Sequence, residues 1–146
     1  MPHYITVINS TWNVDQAFAF MSDFSNAARW DPGVLSARRL DSGDVRVGSS
    51  FDLTVAFAGR RMTLRYTVRS LKVPHEVVFV ASTSRLESVD TLTFEQLGDD
   101  ASRMTYDADL RLKGLAAIAN PLLALGFRRV GDRARDSLQS VLTSKR

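Results

Sequence analysis

The stretch "NPLLALGFRRVGDRARDSLQSV", Asn120 to Val141, begins with a cap residue and a proline and then sorts its side chains by face. Asparagine before proline suits a helix start, because the amide side chain can accept an otherwise orphaned backbone N–H and proline presets the first turn. Leu123, Phe127, Val130, Ala134, Leu138 and Val141 fall in a narrow stripe at about 100° per residue, while Arg128, Arg129, Asp132, Arg133, Arg135, Asp136 and Gln139 take the other side. A helix of that length spans roughly 30 Å, enough to lie across an antiparallel sheet. Gly126 and Gly131 each weaken it by about 1 kcal/mol relative to alanine unless close packing requires them.

Upstream, from Leu35 to Leu112, the hydrophobic period is two rather than 3.6. In "SSFDLTVAF", Phe51, Leu53, Val55 and Phe57 alternate with Asp52, Thr54 and Ala56. In "RMTLRYTVRS", Met62, Leu64, Tyr66 and Val68 alternate with Thr63, Arg65, Thr67 and Arg69. Each strand therefore has one dry and one wet face. Turn signals at residues 41–44, Ala58-Gly59, residues 73–76 and residues 98–100 separate six strands in a spacing that suits an antiparallel meander.

The N-terminal third supplies a seventh strand, residues 3–9, and a helix capped by Asn13 with Gln16 completing a box-like arrangement. Val14, Phe18 and Met21 share one face of that helix. Asp23 can cap a second, shorter helical segment, Phe24 to Arg29, which Pro32 and Gly33 cannot continue.

The whole chain of 146 residues, 45% hydrophobic and 24% charged, has the composition of one ordinary globular domain. It contains no cysteine, which excludes a disulfide frame, a thiolate zinc site and a cysteine nucleophile. "MPHYITVIN" lacks a basic segment followed by an apolar one, and no apolar run reaches the roughly 18 residues of a membrane span, so a cytoplasmic location is predicted. The net charge of +3 is uneven: residues 111–146 hold eight basic residues against two acidic, and residues 1–110 hold eleven against fourteen.

The order strand, two short helices, six-stranded meander and long amphipathic helix resembles the START-like, helix-grip superfamily, also called SRPBCC. "VDQAFAFMSDFSNAARWDPGV" is similar to its helix pair ending in Trp-x-Pro, and "DVRVGSSFDL" to its Val-x-x-Gly entry into a strand. "VPHEVVF" is similar to its Pro-containing hairpin, and "LKGLAAIANPLLALGFRRVGDRARDSL" to its C-terminal helix. The resemblance points to the bacterial polyketide cyclase/dehydrase-like branch. It implies one START-like domain over residues 1–146 of class α+β. In that fold a seven-stranded curved antiparallel sheet, two short helices and a long C-terminal helix enclose a cavity.

Given such a cavity, inward parity selects its wall. Ser88 and Asp90 share a face with Leu92 and Phe94, so Asp90 is a carboxylate on an apolar face, and Met104, Tyr106, Ala108 and Leu110 form the next inward set. Burial would raise the pKa of Asp90, making it, with Tyr66 or Tyr106, the candidate for proton transfer; the alternative is a structural hydrogen bond. Trp30 either lines the cavity or is plain core. The candidate lining is Trp30, Leu53, Val55, Phe57, Leu64, Tyr66, Phe79, Asp90, Tyr106 and Phe127, with the parity of "EVVFVASTS" ambiguous at Phe79.

The apolar inward set favours a binder or carrier of a hydrophobic small molecule, lipid- or polyketide-like, without catalysis. A second reading is an aromatase/cyclase or dehydrase using Asp90 and the tyrosines, against which no inward arginine is evident. A third is a toxin-like or quinone-carrier-like interaction module meeting an anionic membrane or RNA through the basic C-terminal helix. No cofactor, metal or DNA partner is predicted, since His3 and His75 are poorly placed and no Gly-rich phosphate loop joins a strand to a helix. Monomer and homodimer both remain open.

Overall fold

The computed structural model describes residues 3–57, 59–114 and 120–144, and their side chains except those of residues 57 and 120–127. The order of elements is β1 (His3–Ser10), α1 (Val14–Ser22), a short 3-10 turn (Phe24–Asn26), α2 (Ala27–Trp30), β2 (Val34–Arg39) and β3 (Ser50–Phe57). β4 (Arg60–Lys72), β5 (Glu76–Ser82), β6 (Leu86–Leu97), β7 (Ala101–Leu112) and α3 (Asn120–Leu142) follow. The strands form one seven-stranded sheet in the order β1-β7-β6-β5-β4-β3-β2, antiparallel at every pairing. This is the expected helix-grip architecture, with α3 laid over the sheet.

Period-two alternation places the inward residues as expected. Phe51, Leu53, Leu64, Tyr66, Val68, Leu92, Phe94, Met104 and Tyr106 are buried. The register settles β5: Val77, Phe79 and Ala81 lie opposite Leu92, Asp90 and Ser88, on the inward face.

α1 starts as the sequence predicts, with Asn13 Oδ1 accepting from Gln16 N and Gln16 Oε1 accepting from Asn13 N. The following segment differs from the single helix expected over Phe24 to Arg29. Asp23 caps a 3-10 turn through Ser25 N, and a separate α-helical turn then carries Trp30 as its last residue. The break lets Phe24 and Trp30 both turn inward, each nearly fully buried.

α3 is tied to the β1 side at two points. Near its end, the backbone N–H of Thr11 and the hydroxyl of Ser10 both donate to Leu142 O, at 3.2 and 2.6 Å. Nearer its middle, the ring of Tyr4 lies against Gly131, where an added Cβ would sit 2.6–2.8 Å from the ring carbons, and Tyr4 Oη donates to Asp132 Oδ1 at 2.6 Å. Close packing thus explains the helix-weakening glycine at 131.

The two ends of the strands carry different sets of charges. The end holding the β3–β4 and β5–β6 turns carries exposed Arg60, Arg61 and Arg85, and the N-terminal half of α3 adds Arg128 and Arg129. None of these five arginines ion-pairs with a carboxylate among the described residues. The opposite end carries Asp15, Asp41, Asp44, Asp99 and Asp100 together with Arg39 and Arg46, which pair with Asp41, and Lys72, which pairs with Glu76.

Candidate functional site

The inward face of the sheet is divided between a packed half and an open one. In the packed half, Phe24 stacks on Phe79 at 4.1 Å between ring centroids and meets Tyr66 edge-on at 5.0 Å, while Phe18 meets Phe94 at 5.3 Å. Toward the arginine-bearing end these aromatics stop, and a cavity of about 200 Å³ opens between sheet and α3. Val55, Met62, Leu64, Leu86, Leu110 and Leu112 supply its strand walls, and Val130, Gly131, Ala134 and Leu138 its helical roof.

Six of the ten residues expected to line the cavity do so: Trp30, Val55, Leu64, Tyr66, Asp90 and Tyr106. Phe79 faces inward but is covered by the Phe24 ring, and so belongs to the packed core. Leu53 is likewise core, one inward step below Val55 toward the aromatic plug anchored by Phe51. The side chains of Phe57 and Phe127 lie outside those described. Trp30 serves both roles it was read for, being 4% exposed, part of the core and on the cavity wall.

The structure adds residues that the expected lining omitted. Tyr4 and Thr6 reach the cavity from β1, and Asp31 and Gly33 from the turn after α2. Arg135 also lines it, although helical periodicity assigned it to the solvent side; its side chain is 46% exposed and its guanidinium engages Asp136 at 3.1 Å and Asp132 at 3.9 Å. Tyr4 follows the same alternation as the rest of the sheet, whereas Asp31 and Arg135 reach the wall only through tertiary placement.

The polar part of the wall is one connected cluster. Tyr106 Oη donates to Asp90 Oδ2 at 2.5 Å, Ser88 Oγ donates to Asp90 Oδ1 at 3.4 Å, and the hydroxyls of Tyr66 and Ser88 are 2.8 Å apart. β4, β6 and β7 bring these groups together because each sits at an inward position of its strand. Burial pushes the Asp90 carboxyl up to about 7, opposed by the hydrogen bonds from Tyr106 and Ser88. Burial and the nearby Asp90 charge raise Tyr66 and Tyr106, so both remain protonated donors. Burial also raises Asp31, against the hydrogen bond from Gly33 N–H. The Trp30 indole N–H is buried without a hydrogen-bond partner among the described residues.

Neither histidine joins the cluster: His3 pairs with Asp107, and His75 sits in the β4–β5 turn. Among the described residues, no group of three or more His, Asp or Glu side chains is placed to hold a metal, and no helix is long and apolar enough to cross a membrane.

Residues 2–143 match the protein family described as "Polyketide cyclase / dehydrase and lipid transport". The chain belongs to this family. The match covers nearly the whole sequence and agrees with the helix-grip sheet and its roof helix. Among solved structures, a START superfamily protein from Mycobacterium smegmatis shares 13% identity, with 96% of each chain covered and a TM-score of 0.78. The Zhui aromatase/cyclase from Streptomyces sp. R1128 shares 12% identity over 96% of this chain and 92% of that one, with a TM-score of 0.78. Major latex-like protein 151 from Panax ginseng shares 10% identity over 97% of each chain, with a TM-score of 0.69. At these identities the likeness establishes the START-like fold. No curated protein matches the sequence. The family, by that description, spans cyclase or dehydrase chemistry and the transport of lipids.

Proposed function

We propose that this chain, read as one START-like domain over residues 1–146, holds a small hydrophobic molecule in the cavity and carries it without transforming it. The observation that carries the reading is the cavity itself, about 200 Å³ with predominantly apolar walls and one polar cluster. That volume exceeds the roughly 150 Å³ of an apolar protein cavity that takes up benzene. It falls below the roughly 300 Å³ at which drug-sized pockets begin. A ligand of one or two rings, or a short acyl chain, fits those bounds. The cluster favours anchoring over turnover, because Tyr106, Ser88 and Tyr66 already commit their donor hydrogens to Asp90 and to one another.

Native mass spectrometry of freshly purified protein, together with titration of a hydrophobic fluorescent dye, tests the reading. One dye should bind per chain, and Ala108→Trp, which places an indole in the wall between Tyr4 and Asp90, should abolish binding while the fold is kept. Undiminished binding to a folded Ala108→Trp protein would place the dye on the surface and overturn the reading.

A second reading rests on Asp90, whose carboxyl is held near neutrality, where a general acid/base works best. Turnover of a polyketide substrate by the wild type, lost about 100-fold or more in Asp90→Asn with binding retained, would replace the carrier with a cyclase or dehydrase.

A further inference from the structure

Two carboxyl groups, Asp31 and Asp90, stand on the wall of the cavity, and no described basic side chain pairs with either. Arg135, the one basic residue on that wall among the described residues, is engaged with Asp132 and Asp136. Residues 115–127 of the sequence contain no lysine, arginine or histidine. Asp90 is only 7% exposed and accepts from Tyr106 and Ser88, which leaves part of its capacity of about four acceptor sites unused. Asp31 accepts from Gly33 N–H at 2.8 Å. Around the carboxyls stand Trp30, Tyr66 and Tyr106, with Trp30 and Tyr106 edge to face at 5.6 Å. Aromatic faces attract a desolvated cation, and a carboxylate in a dry site binds one strongly.

We propose that the cavity's ligand is a small hydrophobic amine, bound as an ammonium ion by Asp90 within the aromatic wall of Trp30, Tyr66 and Tyr106. The assignment rests on the cavity being a binding site and names the class of molecule it takes. On the cavity wall a ligand carboxylate or phosphate would meet two carboxyl groups and no unengaged cation among the described residues, so anions are disfavoured there. A neutral ligand leaves Asp90 to be buried alone, as a proton-bearing acid. An ammonium ion supplies the missing charge, its three N–H donors reaching Asp90 and the neighbouring hydroxyl oxygens.

Three probes of one shape separate the possibilities: naphthylmethylamine, naphthylmethanol and naphthoate. At about pH 8 the amine should bind at least about 10-fold more tightly than the alcohol, with naphthoate weakest, a margin set by one charge-assisted hydrogen bond. Asp90→Asn should remove the amine's advantage and leave alcohol binding within about 3-fold, since the amide keeps the shape and loses the charge. The wild type gives an independent reading if that variant fails to fold. The groups that share the cavity wall with Asp90 are Ser88 on its own strand, Tyr106 from β7, Tyr66 from β4, Tyr4 from β1, Asp31 from the α2–β2 turn and Arg135 from α3, with the Asp107 charge also acting on it. The tyrosines and Arg135 stay protonated, so the amine's advantage should shrink as the pH falls and Asp90 takes up its proton. Equal affinity for amine and alcohol, or an advantage that survives in Asp90→Asn, would overturn the amine assignment and leave the cavity reading intact. Failure of all three probes to bind would overturn both.

Discussion

Asp90 carries a stability cost whose sign is opposite to that of most carboxylates. With its carboxyl pushed up to about 7 in the folded chain, it holds a proton at pH values where the unfolded chain, near the ordinary aspartate value of about 3.9, has released it. The folded state then binds more protons, and stability falls as the pH rises from about 4 to about 7. Asp90→Asn removes this titration, so the variant should gain on the wild type across that window by up to about 1.4 kcal/mol per pH unit, a few kcal/mol at most. Asp41, held down to about 2 by Arg39, and Asp52, lowered by Arg65, give the reverse slope at lower pH, and cancel in the comparison because both proteins keep them. Urea unfolding of the two proteins at about pH 5 and about pH 8 measures the difference. A variant that gains nothing at the higher pH would mean that the buried carboxyl ionises freely.

At the scale of elements, the contact between β1 and α3 turns on Gly131. Alanine there would strengthen the helix by about 1 kcal/mol in isolation. Its methyl group would lie 2.6–2.8 Å from the ring of Tyr4, which the hydrogen bond to Asp132 keeps from retreating. Overpacking of this kind costs about 1–3 kcal/mol, so after the helix gain Gly131→Ala should lower stability by up to about 2 kcal/mol. In a Tyr4→Ala background the same change should be neutral or stabilising, and a double-mutant cycle of denaturation midpoints checks it. The elements themselves were legible in the sequence, because alternation marks seven strands and the Asn13 box and the Asn120-Pro121 pair mark helix starts. Alternation also found Tyr66, Asp90 and Tyr106 on one face. It could not separate cavity wall from core, since Phe79 is hidden by Phe24, a residue delivered from a different element. Nor could it place Arg135, whose position on the wall depends on how α3 lies across the sheet.

On the scale of the whole molecule, the arginine-bearing end and the cavity coincide. Arg60 and Arg61 precede the wall residue Met62, Arg85 precedes Leu86, and Arg129 precedes Val130. Unpaired cations around that end repel an arriving ammonium ion, and salt screens the repulsion with a Debye length of about 10 Å at 0.1 M. Association of naphthylmethylamine should therefore quicken as ionic strength rises from about 0.02 to about 0.2 M, while that of naphthylmethanol stays constant. Stopped-flow fluorescence reads both rates, and an amine rate that falls with salt would mean the probe enters away from the arginines. The division of the grip into an aromatic plug and an open chamber also sets how the sheet breathes. Amides beside Phe24, Phe79 and Phe94 are locked by interlocked rings, and should exchange their hydrogens only when the entire chain unfolds. Further along β6 near Leu86, and beside it on β7 near Leu112, fewer side chains must part, so smaller and more frequent openings should suffice. One continuous strand would then show two protection levels, and an occupant of the chamber would merge them by giving the looser end the partners that the rings give the tighter one.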